Sequence, residues 1–292
     1  PGGDRLTSAR LSCVAVARVN DTELFYEVDG GGGRVACLVL HGGLGFDHQV
    51  YRRTLMPLAD RLEVVWFDQR HNGRSGRPGL ETVTMEQLAD DAAALAGGLG
   101  HRRFLVFGHS YGGFVAQELA IRHPERVAGV ILVSTTPGQL GAGEPEDDDQ
   151  GPPPPPGLVE ALSKLPTTDA ELADGVQGLL PFYLHRLEAD DVAPLLDGTH
   201  YDVEAMIRGF EVLATWSAVD RLPGVTCPVL LVAGRHDVLT SFPQSHRIAR
   251  HLPAAEVVVV EETGHFPWIE APDVFFATVD RWLDQREALP GA

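Results

Sequence analysis

Cysteine, clustered basic charge and long apolar runs are what this sequence has least of, and each shortage narrows the functions open to it. Only three cysteines occur in 292 residues, Cys13, Cys37 and Cys227. None has the C-x-x-C spacing of zinc or redox sites, and each lies in an apolar, strand-like stretch, so buried thiols in a reducing, cytoplasmic setting are expected. Lys and Arg number 23 against 41 Asp and Glu, a formal net charge of −18. Polyanions are bound by clustered cations that displace counterions, so the balance argues against nucleic acid or an anionic membrane surface as partner and for a charge that serves solubility. No apolar run approaches the roughly 18 residues that a membrane-crossing helix requires. Metal-dependent hydrolysis finds no H-E-x-x-H or comparable ligand spacing, and no motif asks for a cofactor.

What is present is an alternation of strand-like and helix-like stretches, the pattern of a mostly parallel sheet covered on both faces. Ser12–Val19 and Glu23–Val28 read as an opening pair of strands, and Ala36–Leu40, Glu63–Phe67, Phe104–Phe107 and Val127–Val133 as buried ones. Met85–Leu99 has helical spacing and stops at glycines. The pattern resumes late in the chain, with strands at Pro228–Ala233 and Glu256–Val260 and helices at Pro243–His251 and Pro272–Arg286. Between the two halves the composition shifts. The acidic run Glu144–Asp149 precedes five prolines, Pro152–Pro156, which favour an extended, solvated segment. Residues 135–222 are therefore expected to form a helical cap inserted into a core of 1–134 and 223–292, with a mobile loop at about 141–157.

Three strand ends carry unusual residues: His41-Gly42-Gly43-Leu44-Gly45, Asp68-Gln69-Arg70 and Gly108-His109-Ser110-Tyr111-Gly112. Ligands of open α/β sheets sit at such carboxyl ends, so the three loops mark one site. The last has strand, sharp turn and helix around a serine flanked by glycines, the nucleophile-elbow arrangement that lifts a serine Oγ above the sheet. A serine hydroxyl needs a base, and the base needs an acid to set its tautomer. In the order Ser, acid, His, the acid is Asp237, after Pro228–Ala233, and the base is His265, in the Gly264-His265 turn after Glu256–Val260. His236, His246 and His251 read as surface or helix-end residues. The other strand-end acid, Asp68, stands in Asp68-Gln69-Arg70-His71-Asn72-Gly73-Arg74-Ser75, a setting suited to bracing a loop. The backbone amides of Gly43 and Tyr111 are the expected oxyanion donors.

These motifs resemble the α/β-hydrolase superfamily over nearly the whole chain. Within it, the His41–Gly45 loop, the Asp68–Ser75 stretch, the elbow and Trp216-Ser217-Ala218-Val219-Asp220-Arg221-Leu222 look most like the proline-iminopeptidase group, serine peptidases and related esterases or amidases with a helical cap. The resemblance implies an acyl-enzyme and a small-molecule substrate. The chain departs from the group in carrying Leu44 where proline is typical, His109 and Tyr111 around the serine, and Val238 after the acid. Glu204 and Glu211 are the cap carboxylates available to a substrate amine. Leu44, Phe182, Tyr183, Phe210 and Trp216 are the candidate lining for a small, largely apolar substrate. The expected reaction is hydrolysis of an ester, lactone or amide; the same fold and triad also serve lyases and cofactor-free oxygenases.

Overall fold

The computed structural model describes residues 13–31, 34–138 and 151–285. Its centre is an eight-stranded sheet in the order β1-β2-β4-β3-β5-β6-β7-β8. The strands are β1 (Cys13–Val19), β2 (Thr22–Asp29), β3 (Ala36–Leu40), β4 (Glu63–Phe67), β5 (Phe104–His109), β6 (Val127–Val133), β7 (Val229–Gly234) and β8 (Ala255–Val260). β1 pairs with β2, and β2 with β4, antiparallel; the remaining pairs are parallel. The interior strands β3, β5, β6 and β7 are buried along their whole length. Their unbroken Val, Leu, Ile and Phe runs follow from a sheet with no wet face there. β1 is an edge strand with exposed Val14 and Val16, and Cys13 at its start is exposed, against the expectation of three buried thiols. Cys37 and Cys227 are buried.

The helices are α1 (Gln49–Leu55), α2 (Met85–Gly98), α3 (Tyr111–Arg122), α4 (Leu158–Ser163), α5 (Asp169–Tyr183), α6 (Ala189–Val192), α7 (Val203–Leu213), α8 (Pro243–His251), α9 (Pro267–Glu270) and α10 (Pro272–Asp284). α2, α3 and α8 close one face over Leu38, Leu40, Val106 and Leu231. α1, α9 and α10 close the other over Val39, Trp66, Phe107 and Val232. The short helices α1 and α9 are not apparent from periodicity, because neither is long enough to repeat a helical stripe twice.

α4 to α7 lie between β6 and β7. Capping residues set the starts of α5 and α7: Thr168 accepts from Glu171 N and Asp202 from Ala205 N, each satisfying an orphan amide of a first turn. Leu172, Val176, Val203 and Met206 form a small apolar cluster of their own, against which Leu44 and Phe46 of the β3–α1 loop pack. Asp47, fully buried, accepts from the backbone N–H of His200 at 3.1 Å and bonds its Nδ1 at 2.8 Å. The insertion is thus tied to the loop that follows β3. The acidic run Glu144–Asp149 lies outside the described residues.

Candidate active site

Ser110 sits between β5 and α3 with φ of 50°. That left-handed conformation costs a residue with a side chain about 1–3 kcal/mol and persists only where surroundings over-determine it. Here the Ser110 N–H donates to Val133 O at 3.0 Å, and the Thr135 hydroxyl donates to Ser110 O at 2.9 Å. The flanking glycines are steric necessities. A Cβ on Gly108 would meet Gly112 O at 2.5 Å and Ala116 Cβ at 2.6 Å, and one on Gly112 would run into the Leu40 carbonyl. The serine side chain caps no helix amide. Its hydroxyl therefore stays available, at the positive end of a 12-residue helix.

His265 and Asp237 meet although 28 residues separate them. Nδ1 of His265 lies 2.8 Å from Oδ2 of Asp237, and both residues are buried. Asp237 also accepts from the Leu239 and Thr240 amides, at 2.9 and 3.1 Å, and from the Thr240 hydroxyl at 2.8 Å. Burial pushes its carboxyl pKa up, but the His265 ring and these amides outweigh burial and hold it well below the ordinary carboxylate range. Asp68 bonds within its own surroundings instead: its carboxylate takes the backbone and ring N–H of His48 and the amide of Arg74, bracing the loop.

Gly43 lines the same cavity as Ser110, with φ of 76° and no room for a Cβ beside the Phe46 ring. His41 orients this loop. Gln69 N–H donates to its Nε2 at 3.2 Å, so its proton is on Nδ1, which faces Gly42 O at 3.2 Å. Burial lowers its pKa and keeps the ring neutral. Tyr111 opens α3, and its amide belongs to the first turn, where no intrahelical acceptor exists.

Two residues that sequence reasoning passed over hold this arrangement. His109, fully buried, places Nε2 3.0 Å from the carbonyl of His265 and Nδ1 2.8 Å from the Tyr51 hydroxyl. A carbonyl only accepts, so Nε2 carries the proton and the Tyr51 hydroxyl donates to Nδ1. Burial, and then the neighbouring His265, keep the His109 pKa well below its usual value. Glu270, also buried, accepts from Gly264 N through one oxygen at 2.5 Å, and from the amides of His185 and Arg186 through the other at 2.7 and 2.6 Å. The His265 amide in turn donates to Tyr183 O at 2.7 Å. The only sequence signal for Glu270 is its position five residues after the histidine.

The cavity is narrow, about 60 Å³, and is lined by Phe46, Val50, Tyr51, Val176, Leu180, Tyr183, Val192, Leu196, Phe266 and Ile269 around Gly43, His109, Ser110 and His265. Among the described residues it is lined by no carboxylate and no Lys or Arg side chain. Of the five expected lining residues, the structure brings Tyr183 there, stacked on the His265 ring with centroids 5.3 Å apart. The other four are placed elsewhere. Leu44 packs over Gly209 of α7. Phe182 neighbours Gly157, and Phe210 is half exposed in a groove with Phe114 and Leu213. Trp216 is buried against Phe114 and donates its indole N–H to the buried carboxylate of Glu118 at 2.8 Å, which pins the exit of the insertion to α3. Glu204 and Glu211 line a surface groove with Leu80, Ile207 and Arg208. Among the described residues no helix is long and apolar enough to cross a membrane.

Comparison with known proteins agrees with the architecture. The model of the alpha/beta hydrolase fold family matches residues 36–272. A protein of Caulobacter sp. (strain K31) that carries the name carbamate hydrolase RutD is 29% identical over 276 residues, covering 91% of this chain and 97% of its own. The proline iminopeptidase PfmaB of Pestalotiopsis fici is 25% identical, covering 93% of this chain and 100% of its own. Among solved structures, the enol-lactonase from Burkholderia xenovorans LB400 superposes with a TM-score of 0.74 at 27% identity, over 92% of this chain and 100% of the other. Family match, sheet order and relatives agree: the chain belongs to the alpha/beta hydrolase fold family and is a hydrolase of that family.

Proposed function

We propose that this chain is a serine hydrolase that cleaves an ester or lactone of a small, uncharged, largely apolar acyl group through an acyl-enzyme, with residues 135–222 acting as the cap over the site. The observation that carries the reading is the apolar cavity shared by Ser110 and His265, with His265 Nδ1 bonded to Asp237. That bond puts the imidazole proton on Nδ1 and leaves Nε2 free as base. Ser110 Oγ attacks the carbonyl carbon while Nε2 takes its proton, and the oxyanion is received by the amides of Gly43 and Tyr111. The imidazolium then gives the proton to the departing alkoxide. Water, deprotonated by the same nitrogen, releases the acid and restores Ser110.

An aminopeptidase must hold a protonated substrate amine, and a desolvated ammonium needs an anionic partner. Among the described residues the lining offers none, Asp237 is engaged by His265 outside it, and Glu204 and Glu211 stand in another groove. This supports esters and lactones over peptides, a preference in line with the enol-lactonase among its relatives. Wild-type protein is expected to be labelled covalently by a fluorophosphonate and Ser110→Ala is not; equal labelling would reject Ser110 as nucleophile. Short acyl p-nitrophenyl esters and lactones, assayed beside prolyl and alanyl arylamides, are expected to be the better substrates. Faster turnover of the arylamides would reverse the preference, and labelling without ester turnover would favour a non-hydrolytic use of the triad.

A further inference from the structure

Beside the triad, facing solvent, three side chains from three separate segments converge. His185 comes from the insertion just after α5, His236 from the loop that carries Asp237, and Glu262 from the loop that carries His265. One nitrogen of each histidine and one carboxylate oxygen of Glu262 all lie within 4.8 Å of one another. The His185 and His236 rings are stacked, centroids 3.5 Å apart and 3° from parallel, and His185 Nε2 is 3.6 Å from Glu262 Oε2.

We propose that His185, His236 and Glu262 form a binding site for one divalent transition-metal ion of the zinc class, bridging the insertion to the two loops that hold Asp237 and His265. Two neutral imidazoles and one carboxylate are a donor set that zinc favours, with water filling the remaining position. The backbones are already registered. His236 N–H donates to Thr263 O at 2.9 Å, locking the two triad loops together, and the His185 amide is held by Glu270 at 2.7 Å. The side chains remain adjustable: His185 is 32% and Glu262 67% exposed. Adjustment is needed, because both ring planes must contain the ion and parallel rings cannot share one. Rotation of the more exposed His185 opens the stack, and its Nε2 already lies beside Glu262. The strongly acidic chain adds a favourable field for a cation. None of the three residues lines the cavity with Ser110, so this site stands apart from the acyl-transfer chemistry.

Titration of the full chain, free of affinity-tag histidines, with Zn²⁺ in a calorimeter tests the site. One saturable ion per chain is expected for wild type. His185→Ala and Glu262→Gln, which remove donors from opposite sides of the bridge, should each weaken binding by about 10- to 100-fold, at least the loss that follows removal of a supporting partner. A zinc-dependent rise in Tm should appear in wild type and vanish in both variants. Absence of saturable binding by wild type, or undiminished affinity in either variant, overturns the proposal.

Discussion

His265 lies between a buried anion and a buried neutral ring. On one side Asp237 is kept ionised by the ring itself and by two amides, despite its burial. On the other, His109 packs with its centroid 4.6 Å away and, being neutral, places no charge beside that ring. Replacing Asp237 by Asn keeps the shape of the site but presents an N–H to Nδ1, which favours the wrong tautomer. Steady-state kinetics of Asp237→Asn should show kcat reduced by about 10⁴-fold, with fluorophosphonate labelling correspondingly slowed. A loss below about tenfold would remove Asp237 from the role of orienting acid.

At the scale of elements, the C-terminal end of α5 is stitched to the loop of His265. Glu270 receives amides from both, and the Tyr183 carbonyl takes the His265 amide. A glutamine there would turn its own N–H donors against backbone donors. Glu270→Gln should lower stability by about 1–3 kcal/mol. It should also speed hydrogen exchange of the 185–187 amides and reduce kcat; unchanged exchange at those amides would show that the stitch does not hold the insertion. Along α5, Leu180 faces the cavity and is almost fully buried. Leu180→Ala should raise the preference for longer over shorter acyl esters by at least about tenfold, read as a ratio of kcat/KM values, since one methylene in an apolar pocket is worth that much.

Across the molecule, a buried charge network under the β3–α1 loop links pH to stability. His48 Nδ1 is 2.6 Å from Asp68 and its Nε2 is 3.4 Å from Glu27, so both ring nitrogens face carboxylates. Burial pushes the His48 pKa down, but the two carboxylates prevail and raise it. The hydrogen bond from His48 is the main reason that the Glu27 carboxyl falls from 4.5 to about 2. For Asp68, burial raises and His48 lowers, with a net fall from 3.8 to about 2. The depressed acids contribute stability that is complete above about pH 4.5 and is lost as pH falls toward 2. His48, raised, contributes below pH 6.5 and loses that contribution as pH rises through its folded-state value. Chemical denaturation across pH should therefore give a maximum between these limbs. In His48→Gln the acid limb should be shallower and should end closer to ordinary carboxylate pKa values, because the folded-state acids are less depressed, and an unchanged acid limb would refute the network's role.

The sequence by itself determined the sheet, the elbow and the chain order of Ser110, Asp237 and His265. Buried parallel strands need continuous apolar runs, and a turn as tight as that at Ser110 leaves room only for glycine at positions 108 and 112, so local chemistry is written directly into the residues. Tertiary structure alone decided what touches the cavity. An aromatic residue in the insertion suits a pocket, a surface groove or a core equally well, and only packing sends Tyr183 to the first, Phe210 to the second and Trp216 to the third. The same holds for His109, Glu270 and the His185–His236–Glu262 cluster. Their roles depend on partners tens to more than 150 residues away, which no local pattern encodes.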